Sequence, residues 1–190
     1  MNAVARTEPT RHLVTYEELS ALCDQGFFPN RTQVVLLDGE IHVMPADGVR
    51  HIHWAMALMR FAVRAVPERC FIGVQTTLRL SRHNAPSPDL YILDGPLPEG
   101  DVPAANILLV VEVADSSLKD DLTDSAARYA RHGVREYWVL DVAAPALLLH
   151  RNPNAAAYPP PQRLEATELA EALLIPELRL RLTDLVAAGS

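Results

Sequence analysis

Residues 107–141, ILLVVEVADSSLKDDLTDSAARYARHGVREYWVLD, constrain the fold more than any other stretch. An unbroken aliphatic run at 107–111 is followed by a lone carboxylate at Glu112 and a polar turn, then a helical pattern and a second apolar run ending at Asp141. Strands that read as continuous aliphatic runs are covered on both faces, and two of them joined through a helix make a right-handed parallel crossover. Glu112 falls at the carboxyl end of the first run, where open α/β sheets place their ligands. A charge there is costly unless a cation or hydrogen-bond donors meet it.

The 190 residues are enough for one domain with a real core, and a single domain over 1–190 is the expectation. Arg and Glu interrupt every apolar stretch before it reaches membrane-spanning length, and the N-terminus lacks the apolar core of a signal peptide. Cys23 and Cys70 make neither a metal spacing nor a disulfide framework, so a reduced, cytoplasmic protein is expected. The formal charge of −7 argues against broad, non-specific affinity for nucleic acid but not against a local basic groove.

Around the central stretch the chain punctuates itself. Residues 1–12 read as a frayed arm. Thr15 with Glu18 three residues later forms a capping-box pattern opening a short helix, which Gly26 and Pro29 end. Residues 33–37 and 41–44 are β-rich runs around Asp38-Gly39, the strongest hairpin signal. Residues 50–66 switch to helical spacing, with His51, Trp54, Ala55, Leu58, Ala62 and Ala65 on one face, and Pro67 closes the helix. Strands are expected at 71–75, 77–80 and 90–93, and 95–105 is a surface excursion rich in Pro, Gly and acid. After Asp141 come a strand at 146–150, a proline-rich loop at 152–161, a strand-like piece at 177–182 and a short terminal helix. The tail from Arg163 is expected to return to the same core.

No Gly-rich phosphate loop, GxSxG elbow, HExxH or paired CxxC is present. What remains is carboxylates at strand ends. Asp89 follows Pro88 at the start of one strand and Glu112 ends another. Two acids converging from adjacent strands offer hard oxygens to Mg²⁺ or Mn²⁺, which can activate water and neutralise charge on a scissile phosphate. The bland alternative is that each is a solvated strand end.

The pieces LLDGEIHVMP, PDLYIL, LLVVEVADSSL and YARHGVREYWVLD, in this order over residues 15–150, together resemble the Uma2 family, once called DUF820, of restriction endonuclease-like proteins. That family is similar to the PD-(D/E)XK nucleases. The resemblance implies an α/β fold with a mixed sheet flanked by helices, preceded by an N-terminal hairpin. It also implies a metal-dependent endonuclease that hydrolyses DNA phosphodiesters with Mg²⁺ or Mn²⁺ and works as a homodimer.

By that resemblance Asp89 is the motif aspartate, Glu112 its acidic partner and Glu40 the glutamate of the DGE hairpin. The superfamily lysine belongs two residues after the acid, but Ala114 stands there. In this family it sits on the following helix, at the position of Ser125. Leu118, Leu122, Ser125 and Tyr129 share one helical face by spacing, so position 125 points toward the sheet, but serine is short and uncharged. Lys119 and Arg128 are the nearby replacements, and either is also what a solvated surface cation looks like. A further family glutamate is replaced by Val35. His51 is expected either to touch the phosphate or to take a structural place, and Gln75 either to contact the site or to pack at the sheet edge. Tyr129, Tyr137 and Trp138 lie in apolar periodic segments and read as core. The alternative to an enzyme is an inactive nuclease-fold module for nucleic-acid binding or dimerisation.

Overall fold

A computed structural model describes residues 11–29, 33–154 and 157–187. Most of the expected arm, residues 1–10, and residues 155–156 of the proline-rich loop lie outside the described residues. Helix α1 (Tyr16–Asp24) carries the full capping box: the Thr15 hydroxyl accepts from Glu18 N–H, and the Glu18 carboxylate accepts from Thr15 N–H. Strands β1 (Gln33–Leu37) and β2 (Glu40–Met44) pair antiparallel around Asp38-Gly39. Both turn residues have positive φ, 51° and 79°, as the tight hairpin twist demands.

Helix α2 (Val49–Ala65) buries His51, Ala55, Leu58 and Ala62, as the helical spacing predicts. Strand β3 (Cys70–Gly73) is shorter than expected, because the chain turns at Gln75 with φ 46°. A Cβ on Gly73 would stand 2.1 Å from the Tyr91 ring, so only glycine fits at that cross-strand pair. The expected strand at 77–80 does not form. Leu78 and Leu80 bond back to Pro86 and Asn84 in an irregular loop whose prolines have no N–H to offer a ladder.

Strands β4 (Leu90–Asp94), β5 (Ile107–Ala114), β6 (Glu136–Asp141) and β7 (Ala146–Arg151) follow the apolar runs. Strand β8 (Gln162–Glu165) lies in the exposed tail and was not expected. The six-stranded sheet has the order β3-β4-β5-β6-β7-β8, with β5 and β6 parallel and the other pairs antiparallel. Between β5 and β6 the chain winds through α3 (Leu118–Asp120), a π-turn (Asp121–Ser125) and α4 (Ala126–Arg131). The crossover read from residues 107–141 is therefore present, but its helix is broken by the π-turn.

Alternation along the strands sends side chains into two cores, and each large apolar side chain fully buried contributes about 2 kcal/mol. Leu90, Ile92, Leu109, Val111, Trp138 and Leu140 meet α2 and the tail residues Ile175, Leu178, Leu180, Leu182 and Leu185 on one face. Tyr91, Leu93, Val110, Tyr137 and Val139 meet Ala126 and Tyr129 on the other. Within the tail, β9 (Ala170–Glu171) pairs with β10 (Arg179–Leu180) as a separate two-stranded sheet, and α5 (Leu182–Ala187) follows. The strand-like piece at 177–182 thus shrinks to two residues. No helix among the described residues is long and apolar enough to cross a membrane.

Candidate active site

Strand register places the two motif acids face to face. Leu90 pairs with Val111, so Asp89, one residue before β4, stands opposite Glu112. Asp89 N–H donates to Glu112 Oε2 at 3.2 Å. Residues opposite one another on antiparallel strands share a face, here that of Tyr129 and α4. The acids open into a cleft of about 330 Å³, lined from the hairpin by Gln33, Val35 and Leu37 and from the crossover by Asp121, Ser125, Arg128 and Tyr129.

Each carboxylate is held by named donors. Asp89 Oδ2 accepts from His51 Nε2 at 3.0 Å and from Val113 N–H at 2.8 Å. Among the described residues its Oδ1 has only a long bond, 3.4 Å, from Gln75 Nε2, which also donates to Asp47 at 2.8 Å. Asp89 therefore turns one saturated oxygen to the protein and one available oxygen to the cleft. Glu112 Oε1 accepts from the Tyr129 hydroxyl at 2.9 Å.

A third acid, Asp121, joins them from the π-turn. It is buried, and its carboxylate accepts a 2.5 Å bond from the Ser117 hydroxyl. Burial, with the charges of Asp89 and Asp121 added, pushes the Glu112 carboxyl well above the usual carboxylate range, against the bonds from Asp89 N–H and Tyr129. Burial likewise pushes Asp121 up to about 6. His51 moves upward too, because its hydrogen bond to Asp89 outweighs burial. Burial and the adjoining Glu112 charge raise the Tyr129 phenol. Among the described residues, the only basic side chain in an ion pair with any of the three acids is His51, on Asp89.

This donor set fits a divalent cation of the Mg²⁺ or Mn²⁺ type. Such ions take hard oxygens, commonly from one or two carboxylates, and fill the remaining positions with water and substrate phosphate. Asp89 and Glu112 would supply the carboxylates, and a cation between them would offset the mutual repulsion that raises Glu112. Among the described residues no group of three or more His, Cys, Asp or Glu side chains is arranged to hold a metal ion, so any ion here would rest on two carboxylates.

The structure gathers some of the sequence-predicted residues and leaves others out. Asp89, Glu112, His51, Gln75 and Arg128 all line the cleft. Glu40 does not: it is exposed at the hairpin turn, paired with Arg11. Lys119 is exposed on the outer side of the crossover and also lies off the cleft. Ser125 and Val35, where the resemblance implies lysine and glutamate, both face the cleft. The face expected to run through Leu118 and Leu122 changes at the π-turn: those two pack against the core, and Asp121 takes the cleft side. Asp121 was missed, although it lies four residues before Ser125 and the same helical count reaches it. Tyr129 is core, as expected, and also reaches the site through its hydroxyl.

A mixed sheet covered on both faces, with two acids meeting in one cleft where the β4–β5 ladder ends, defines a restriction endonuclease-like fold. The chain belongs to the Uma2 family, described as "putative restriction endonuclease", whose model matches residues 16–183. Its fold is similar to that of a protein from Anabaena variabilis ATCC 29413 described as "a putative nuclease belonging to DUF820". That similarity has a TM-score of 0.71 at 17% identity over 92% of this chain and 98% of the other. Comparison with curated proteins finds no match.

Proposed function

We propose that the cleft hydrolyses phosphodiester bonds of DNA with Mg²⁺ or Mn²⁺ held by Asp89 and Glu112. The observation that carries this reading is the pair itself: two carboxylates opposed where the β4–β5 ladder ends, in a cleft, without a Lys or Arg on either among the described residues. When bound, the ion supplies Lewis-acid charge for the phosphate and eases ionisation of water. The chain's own residues set the geometry. His51 and Val113 N–H clamp Asp89 Oδ2 so that Oδ1 faces the cleft. Tyr129 fixes Glu112, and Gln75 ties Asp89 to Asp47. Outer partners of this kind orient ligands and tune their affinity. Glu40 and Lys119 have no part in this reading. It includes a homodimer, because cutting both strands of a duplex takes two sites, and a cytoplasmic place, in keeping with two free cysteines.

A second reading, an inactive binding module on the same fold, is favoured by one observation. Both positions where the resemblance implies catalytic charge face the cleft as Val35 and Ser125. Plasmid nicking in Mn²⁺ by the wild type, Asp89→Ala and Ser125→Lys separates the two. The enzyme reading predicts nicking that Asp89→Ala abolishes. Nicking only by Ser125→Lys supports the inactive module, and nicking unchanged in Asp89→Ala overturns the metal mechanism.

A further inference from the structure

Five carboxylates line the cleft: Asp47, Asp89, Glu112, Asp115 and Asp121. A phosphodiester entering it meets strong repulsion unless cations answer. Arg128 is the only Lys or Arg among the described lining residues. It stands one turn beyond Ser125 on the crossover helix, and only 9% of its surface is exposed.

The guanidinium is incompletely used by the protein. Nε is buried and has no hydrogen-bond partner among the described residues. Nη2 stands 3.8 Å from Asp38 Oδ2, beyond hydrogen-bond reach. Asp38 is meanwhile satisfied elsewhere: Arg131 donates to both its oxygens at 3.1 and 3.2 Å, and Asn84 donates at 3.2 Å. Nε and Nη2 form one edge of the planar fork that matches two phosphate oxygens. A buried Nε–H with nothing to bond among the described residues is costly to leave unmet, and Arg128 lines the cleft through which a partner would come.

We infer that Arg128 is the phosphate anchor of this cleft, gripping a backbone phosphate of the nucleic acid through its guanidinium. This rests on the nuclease-fold reading of the cleft but does not require catalysis. Arg128 thereby supplies the permanent positive charge that Ser125 does not. Asp38 and Arg131 act as its backing: they hold the hairpin turn against α4 and leave the guanidinium edge unused.

The test is binding of a fluorescein-labelled DNA duplex, read by anisotropy across a salt series in Ca²⁺, a hard cation that offsets the carboxylates. Arg128→Gln weakens binding by about tenfold or more and makes the salt dependence shallower by about one ion. Arg128→Lys keeps the wild-type salt slope. Asp38→Asn, which suits a turn at positive φ, binds at least as tightly as the wild type. Mn²⁺ affinity is not weakened in Arg128→Gln, so loss of the anchor is separable from loss of the metal site. Should Arg128→Gln fail to fold, the salt slopes of Arg128→Lys and Asp38→Asn decide: a slope shallower than wild type in Arg128→Lys, or weaker binding in Asp38→Asn, overturns the inference. Wild-type affinity and slope in Arg128→Gln overturn the inference alone. A wild type that binds no duplex overturns it together with the functional reading.

Discussion

Glu136 and Glu112 are the same residue type on neighbouring parallel strands of one sheet, and they are treated in opposite ways. Glu136 is fully buried and completely partnered. Its Oε1 accepts from the Trp138 indole at 2.9 Å and the Arg151 guanidinium at 2.7 Å, and its Oε2 from Leu173 N–H at 2.6 Å. It ties β6 to β7 and to the tail. Among the described residues Glu112 has a phenol and one N–H for donors, no Lys or Arg partner, and two further acids pushing against it. Interiors tolerate a charge when it is paired and hydrogen-bonded. The first glutamate meets that condition within the protein. The second has two donors and no cation among the described residues, as the proposed site would require of an acid that takes its cation from outside.

The contrast breaks most visibly through stability. Glu136→Ala strands Arg151 and two other donors and costs about 3 kcal/mol, read as a loss in denaturant unfolding. Glu112→Gln does the reverse. Its carboxyl sits above the ordinary value in the folded state, so ionisation opposes folding as pH rises from 4.5. The neutral amide gains about 1 kcal/mol at neutral pH without added metal, and removes Mn²⁺ binding. A Glu112→Gln protein as destabilised as Glu136→Ala would erase the distinction between strut and site.

A smaller effect sharpens it from the structural side. His150 on β7 lies between Tyr137 and Tyr158, with both ring nitrogens buried and unpartnered among the described residues. Burial lowers its pKa below 6.5. The unfolded chain therefore takes up the proton first, and stability falls as pH drops below 6.5 toward the folded value. His150→Phe keeps a ring in the stack and removes that part of the acid sensitivity, as thermal melts across this pH range would show.

What the sequence reveals and conceals follows the range of the interactions involved. The capping box at Thr15 and the Asp38-Gly39 turn are local chemistry and are legible. So are the aliphatic runs of β5 and β6, because burial on both faces leaves its mark on every residue. Asp89 and Glu112 were legible as candidates, and the register of β4 and β5 then sets them opposite each other. Asp121 lies within helical count of Ser125, but the expected face runs through Leu118 and Leu122, and the π-turn gives the cleft side to Asp121 instead. The strand at 77–80 failed because Leu78 and Leu80 found partners in a proline-bearing loop instead of a sheet. Strand β8 was concealed by exposure: QRLE buries one residue and lacks the apolar run that marks β5 and β6. Glu40 and Lys119 belong to motif spacing, which cannot tell that both side chains turn to solvent.

In the proposed mechanism Asp89 and Glu112 share one divalent cation. Calorimetric titration of Mn²⁺ into the wild type and into Asp89→Ala tests this most directly, with thermal unfolding of each confirming the fold. One saturable site in the wild type, absent from an equally folded Asp89→Ala, is the predicted result. Equal binding in both proteins, or none in the wild type, would contradict it.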